Sequence, residues 1–288
     1  MGGNTGAIID SSKNPILRLN LSVRSRHALL CVLVMLSQSL AISASRAAET
    51  TTMIEIPAGP FRMGSDNGNV DERPVHEVNL PTFFIDRTPV TNAQFAAFLE
   101  VRSPRGPRNV NYFDVDDRDA RIHRHDGRWK PDAGYEQHPV VEVTWRGARE
   151  YCAWQGKRLP TEAEWEKAAR GLDGRRFPWG NAPPDSSRAR FGVGYNATLP
   201  VGTLAKGASP FGVLDMSGNV WQWVSSVYRG YPYRMDDGRE SLDSTEPRAT
   251  RGGSHDWPAE GISTTSRGHN LSRAPRSGHH NIGFRCAR

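Results

Sequence analysis

From residue 53 the apolar positions come in short alternating pieces. Met53-Ile54-Glu55-Ile56 alternates, meets Pro57-Ala58-Gly59-Pro60, and is followed by Phe61-Arg62-Met63. This pattern predicts two short strands separated by a turn. His76 to Leu80 and Phe83 to Asp86 predict two more strands around Pro81. The period then changes. Phe95, Phe98 and Leu99 fall on one helical face, and Thr91 can offer its hydroxyl as the N-cap. A second helix is predicted where Trp145, Ala148, Tyr151 and Cys152 share a face, opened by Thr144 and ended by Gly156. A third opens on the capping box Thr161-Glu162-Ala163-Glu164, buries Trp165, Ala168 and Ala169, and closes at Gly171.

Residues 102–136 carry many Arg, Asp, Gly and Pro, little hydrophobic periodicity, and charges that alternate in sign. They read as a long surface loop, either simply solvated or carrying a binding role. From Phe177 to Cys286, Gly, Pro, Asn and Trp dominate, with brief strand-like pieces such as Asn219 to Val224. Few helices plus many short, irregular strands predict one α+β domain, and 288 residues suffice to bury its core.

The first 48 residues differ from the rest. Arg24, Arg26 and His27 precede the apolar run from Ala28 to Ile42, and small residues follow at Ser43, Ala44, Ser45, Ala47 and Ala48. This is the layout of a secretory signal, with residues 49–288 as the mature domain. The run is shorter than the roughly 20 residues a membrane span needs, so no stable insertion is expected after cleavage; an uncleaved anchor is the alternative. The expected location is secreted or periplasmic. The leader also carries much of the positive charge. Without it, 32 basic side chains face 30 acidic ones, a net of +2, which gives no case for a nucleic-acid partner. Two cysteines remain, Cys152 and Cys286; an exported pair reads as a disulfide or, alternatively, as two buried thiols.

The segments IPAGPFRMGS, ERPVHEV, DRTPVTNAQFAAFL, HPVVEVTWRGAREYCAWQGKRLPTEAEWEKAARG, FPWGN, FGVLDMSGNVWQW, RGGS and NIGFRC follow one another across residues 53–288. In that order they resemble the formylglycine-generating (sulfatase-modifying factor) enzymes. The resemblance implies that family's fold, an elaborated variant of the C-type lectin fold. It implies a bridge between Cys152 and Cys286, and the loss of a second bridge whose positions are Ala169 and Arg267 here. It also places the family's two copper-binding cysteines at Trp257 and Ile262. Soft thiolates suit copper, and neither replacement can donate to a metal. Formylglycine formation by the copper route is therefore not expected. The chain is similar in this to the exported branch that includes pyoverdine-maturation proteins.

Other chemistry remains near the lost pair. Ser254 matches the family's active-site serine, and His255, Asp256 and His269 lie in the same segment. Such a set could hold non-haem iron or move protons, although it matches no ligand spacing and adjacent residues in a strand face opposite ways. The pair His279-His280 reads as part of a solvated Gly/Arg-rich loop. Trp257, Ile262 and Arg267 are the expected pocket residues, with Trp257 either plugging the old site or walling a ligand. The resemblance also places a calcium site at Ser217, Gly218, Val220 and Gln222, where Gln222 keeps an oxygen but loses the charge. Three readings follow. The first is an oxidoreductase acting on a peptide, a protein or a peptide-derived small molecule. The second is a ligand- or protein-binding module without turnover. The third is an accessory partner of a secreted enzyme.

Overall fold

The computed structural model describes residues 1–3, 52–268 and 277–288. The chain divides into Met1–Thr50 and Thr51–Arg288. The secretory reading of residues 1–48 falls, past the first three, outside the described residues, as does His269.

The first four strands are β1 (Met53–Ile56), β2 (Gly59–Met63), β3 (His76–Leu80) and β4 (Phe83–Asp86). They pair as a nested arch, β2 with β3 and β1 with β4, both antiparallel. Alternation sets the faces: Phe61 and Met63 are buried while Arg62 between them is exposed. Helix α1 (Asn92–Arg102) starts at Thr91, whose hydroxyl accepts from Gln94 N while the Gln94 side chain returns to the Thr91 amide. Helices α2 (Trp145–Trp154) and α3 (Glu162–Arg170) start at Thr144 and Thr161 as the sequence predicts. The Thr161–Glu164 capping box is present.

The expected loop at 102–136 is corrected. It contains a hairpin, β5 (Ile122–His125) with β6 (Arg128–Pro131), and it sends Tyr112, Phe113, Ala120 and Ile122 into the core. The hairpin packs against α1.

The centre is β7 (Trp221–Val227), buried along its whole length. It lies between β8 (Arg248–Arg251), antiparallel, and β9 (Ile282–Phe284), parallel. Burial on both faces explains its lack of clean alternation. Trp221 and Trp223 join the core formed with α1 and α2, whereas Val224 joins the one formed by Trp165 of α3 and the β2–β3 pair. Just past β9, Cys286 bonds Cys152 of α2, with Cα atoms 5.6 Å apart. That separation lies within the normal disulfide range.

The bridge closes a loop across 134 positions. Reduction, or paired Cys152→Ser and Cys286→Ser substitution, is expected to cost about 2–5 kcal/mol. The measurement is the urea midpoint, and an unchanged midpoint would contradict this assignment.

Candidate functional site

Strand β8 ends at Arg251, and the chain then turns through Gly252 and Gly253, both at positive φ (95° and 73°). A Cβ on Gly253 would lie 2.6 Å from Gly261 O and from Ile262 Cγ2, so the turn requires glycine. The turn delivers Ser254 and His255 into the interior, both fully buried. Flanking segments hold them there. His255 N donates to Asn219 O at 3.0 Å, and Val193 N donates to His255 O at 2.9 Å.

His255 Nδ1 lies 2.8 Å from the same Asn219 carbonyl. A carbonyl only accepts, so the proton sits on Nδ1 and the Nε2 lone pair is free. Nε2 is buried and has no hydrogen-bond partner. Burial pushes the His255 imidazole below its ordinary pKa, which keeps it neutral.

Asp256 points the other way. Its Oδ1 accepts from Ser254 Oγ at 2.6 Å and from Asn281 Nδ2 at 3.2 Å. Its Oδ2 lies 3.0 Å from His280 Nε2. Burial alone would raise the carboxyl, but the bonds from His280, Ser254 and Asn281 outweigh it and hold Asp256 well below the usual carboxylate range. The ionised carboxylate thus fixes the His280 proton on Nε2 and leaves Nδ1 as the accepting nitrogen. His280 is not freely solvated, contrary to the sequence reading. The parallel β7–β9 pairing carries it, just before β9, onto Asp256. It remains partly exposed, with 24% side-chain accessibility.

The Tyr195 ring lies over His280, centroids 4.1 Å apart, and Tyr195 OH donates to Asp119 Oδ2 at 2.5 Å. Neither Tyr195 nor Asp119 was picked out from the sequence, since both sit in irregular segments without periodicity. Two further buried atoms on the β7 and β9 side lack partners, Trp221 Nε1 and Asn281 Oδ1.

The expected pocket residues separate. Ile262 is fully buried against Phe177 and Ala189. Trp257 is half-buried and meets Trp221 edge-on, ring centroids 5.2 Å apart. Neither side chain offers a thiolate or another soft metal donor. Arg267 is no pocket residue: it is buried with Glu162 at 2.7 Å and stacks over Tyr228 and Tyr231. Its donors are spent on Glu162 and on the Asp71 and Arg229 carbonyls.

Ligand expectations fare unevenly. Gln222 Oε1 accepts from Trp165 Nε1 at 3.0 Å and from Arg285 Nε at 2.6 Å. Both lone pairs are used, one by a buried guanidinium. Ser217 Oγ donates to Ile262 O at 2.6 Å and Gly218 N donates to Gly252 O, and neither bond uses the backbone carbonyls that the resemblance offers to calcium. The oxygens of Asp256 are taken up by three protein donors. Among the described residues, two side-chain groups lie close enough to share an ion, His123/His125/Asp132 and Asp117/Asp119/Glu142. His255 and Asp256 belong to neither.

Residues 38–288 match the family model described as a sulfatase-modifying factor enzyme 1-like domain. The chain is 38% identical over 252 residues to serine/threonine-protein kinase pkn1 of Chlamydia pneumoniae, covering 83% of this chain. It is 36% identical over 223 residues to hercynine oxygenase of Mycolicibacterium smegmatis, covering 69% of this chain. The chain spans 38% of the length of the first relative and 51% of the second. Among solved structures it is similar to PvdO from Pseudomonas aeruginosa, with a TM-score of 0.64 and 29% identity over 82% of this chain and 93% of that one.

Proposed function

Because the chain belongs to the sulfatase-modifying factor (formylglycine-generating enzyme) family but has hydrocarbon at the thiolate positions, we propose that it is an exported oxidoreductase working without thiolate-bound copper. Its substrate is a peptide or a peptide-derived metabolite. The observation that carries this reading is the Ser254–Asp256–His280 chain, with contacts of 2.6 Å and 3.0 Å, set on the turn that follows the GGS segment. A relative that is an oxygenase by name supports oxidative chemistry on this scaffold.

The residues divide the work. Asp256 orients His280 and stabilises the imidazolium formed when Nδ1 takes a substrate proton. Ser254 is not a nucleophile in this arrangement, because its hydroxyl proton points at Asp256, too weak a base to activate it, rather than at an imidazole. Its role is to hold the carboxylate. The neutral His255 offers a second buried lone pair at Nε2, and Tyr195 covers the His280 ring. The electrons pass to a two-electron acceptor such as molecular oxygen.

One observation favours a second reading, a binding module without turnover. Trp257 and Ile262 pack into one hydrophobic cluster with Phe177, and the half-buried Trp257 keeps part of its surface exposed. A single experiment separates the two. Purified mature protein is incubated aerobically with fractionated peptide extract, and both bound and released species are read by mass spectrometry. A product lacking two hydrogens, or gaining oxygen, supports the oxidoreductase. Retention of a peptide with unchanged mass supports the binding module and overturns the first reading.

A further inference from the structure

A cavity of about 350 Å³ opens between the turn that follows α1 and the start of α2. Arg108 lines it from the turn, and Arg146 and Arg149 line it from α2. The two helix residues are three positions apart, so they stand on one face. Pro107, Val110 and Tyr112 supply an aliphatic and aromatic wall. The turn is closed by its own backbone: Gly106 N donates to Val110 O at 2.8 Å, and Tyr112 N donates to Pro104 O at 2.9 Å. Arg108 and Asn109 both sit in the left-handed region, with φ of 58° and 60°, which residues other than glycine adopt rarely.

The charges around this cavity do not balance. Three guanidiniums face one carboxylate, that of Glu150. Among the described residues none of the three forms an ion pair with it. Arg108 and Arg146 donate no hydrogen bond to any described residue, and Arg149 donates only a long one, 3.4 Å to Leu242 O. Pairing of Glu150 with any one of them still leaves two positive charges over. The helix adds to the excess. Arg146 is the second residue of α2, no acidic residue stands in the first turn, and the helix dipole places further positive charge at that end. Arg149 and Arg248 also share the Trp145 indole, their guanidinium carbons 5.9 and 3.9 Å from the ring centroid. Burial pushes Arg248 down to about 10, and the Arg149 and Arg146 charges deepen the drop. Cations gathered at a helix N-terminus lower stability unless an anion joins them. Arg146 and Arg149 are half-buried, so water and salt screen them less than fully exposed side chains.

We propose that Arg108, Arg146 and Arg149 bind a small ligand that carries more than one negative charge on oxygen, as carboxylates or as a phosphate. The planar guanidinium matches either group through paired N–H donors. The volume is that of a small-molecule pocket, and the Pro107, Val110 and Tyr112 wall accepts the hydrocarbon part of such a ligand. The site stands apart from the Asp256–His280 chemistry and is tested without turnover.

The full mature chain is titrated by calorimetry with citrate and, separately, with inorganic phosphate at low ionic strength. Binding of at least one is expected at millimolar concentration, and it should weaken as sodium chloride is added. Citrate alone would assign the site to carboxylates, and phosphate alone to phosphate. Arg146→Gln and Arg149→Gln are each expected to weaken binding about tenfold or more, since each removes a charge-assisted hydrogen bond. Arg108→Gln, at an exposed position, repeats the test should the helix variants fold poorly. Arg62→Gln removes the same charge from an exposed position on β2 and is expected to bind like the wild-type chain. Binding of neither probe by the wild-type chain would overturn the proposal. Equal binding by the wild-type chain and the three cavity variants, or an equal loss in Arg62→Gln, would also overturn it, since the anions would then be held by general charge or elsewhere.

Discussion

Asp256→Asn is expected to lower turnover by roughly 10²–10⁴-fold while leaving the fold intact. An asparagine side chain still fits between Ser254, His280 and Asn281. It carries no charge, so it no longer favours the Nε2–H tautomer of His280 or stabilises the imidazolium that forms during proton transfer. His280→Gln should fall to a similar level. The double variant should be little worse than either single one, because residues that act as a unit are not additive. Steady-state kinetics of the three proteins check this once the substrate is in hand, with circular dichroism to confirm folding. Unchanged turnover in Asp256→Asn would remove the pair from the chemistry.

Glu162→Ala is expected to cost about 3–5 kcal/mol of stability, enough to threaten folding. Glu162 is fully buried at the start of α3. Arg267 Nε meets it at 2.7 Å, Arg267 Nη2 at 3.0 Å and Arg251 Nη1 at 3.2 Å. One turn on, Glu166 meets Arg251 at 2.5 Å and Arg170 at 2.8 Å. Burial alone would raise the Glu162 carboxyl, but the Arg267 and Arg251 charges outweigh it and hold it below its ordinary value. Truncating the glutamate leaves the buried Arg267 guanidinium with only the Asp71 and Arg229 carbonyls, and leaves Arg251 to share Glu166 with Arg170. Thermal denaturation measures the loss. A melting temperature close to that of the wild-type chain would mean that the network contributes little.

Arg267 in that network shows where sequence reading stopped. It lies in the same segment as Ser254 and His255, so proximity along the chain suggested a shared pocket. In the fold it bridges across to Arg251, and its side chain turns toward α3 rather than toward Trp257. The helices were legible because each carries local signals within a few residues, such as Thr161 and Glu164 at the two ends of a capping box. The first four strands were legible as segments from their alternation. Their nested pairing was not, since either neighbour order suits the same pattern.

Long-range pairing also explains the site residues that were missed. His280 sits in a Gly/Arg-rich stretch with no periodicity, and only the parallel register Trp221↔Ile282 carries it to Asp256. The hairpin within 102–136 escaped notice because Ile122-His123-Arg124-His125 has a single apolar residue, too little to reveal a period of two. The replacements at Trp257 and Ile262 were legible because they depend on residue identity at a fixed spacing, which needs no knowledge of the fold.

The most direct test of the central claim compares cells carrying the wild-type chain with cells carrying His280→Gln at equal levels of folded protein. Their exported peptides and peptide-derived metabolites are profiled by mass spectrometry. The expected result is a species that accumulates in the variant and is two hydrogens heavier than, or one oxygen short of, its wild-type counterpart. Identical profiles, together with a difference between the wild-type and a strain lacking the chain altogether, would contradict it and assign the protein's role to binding.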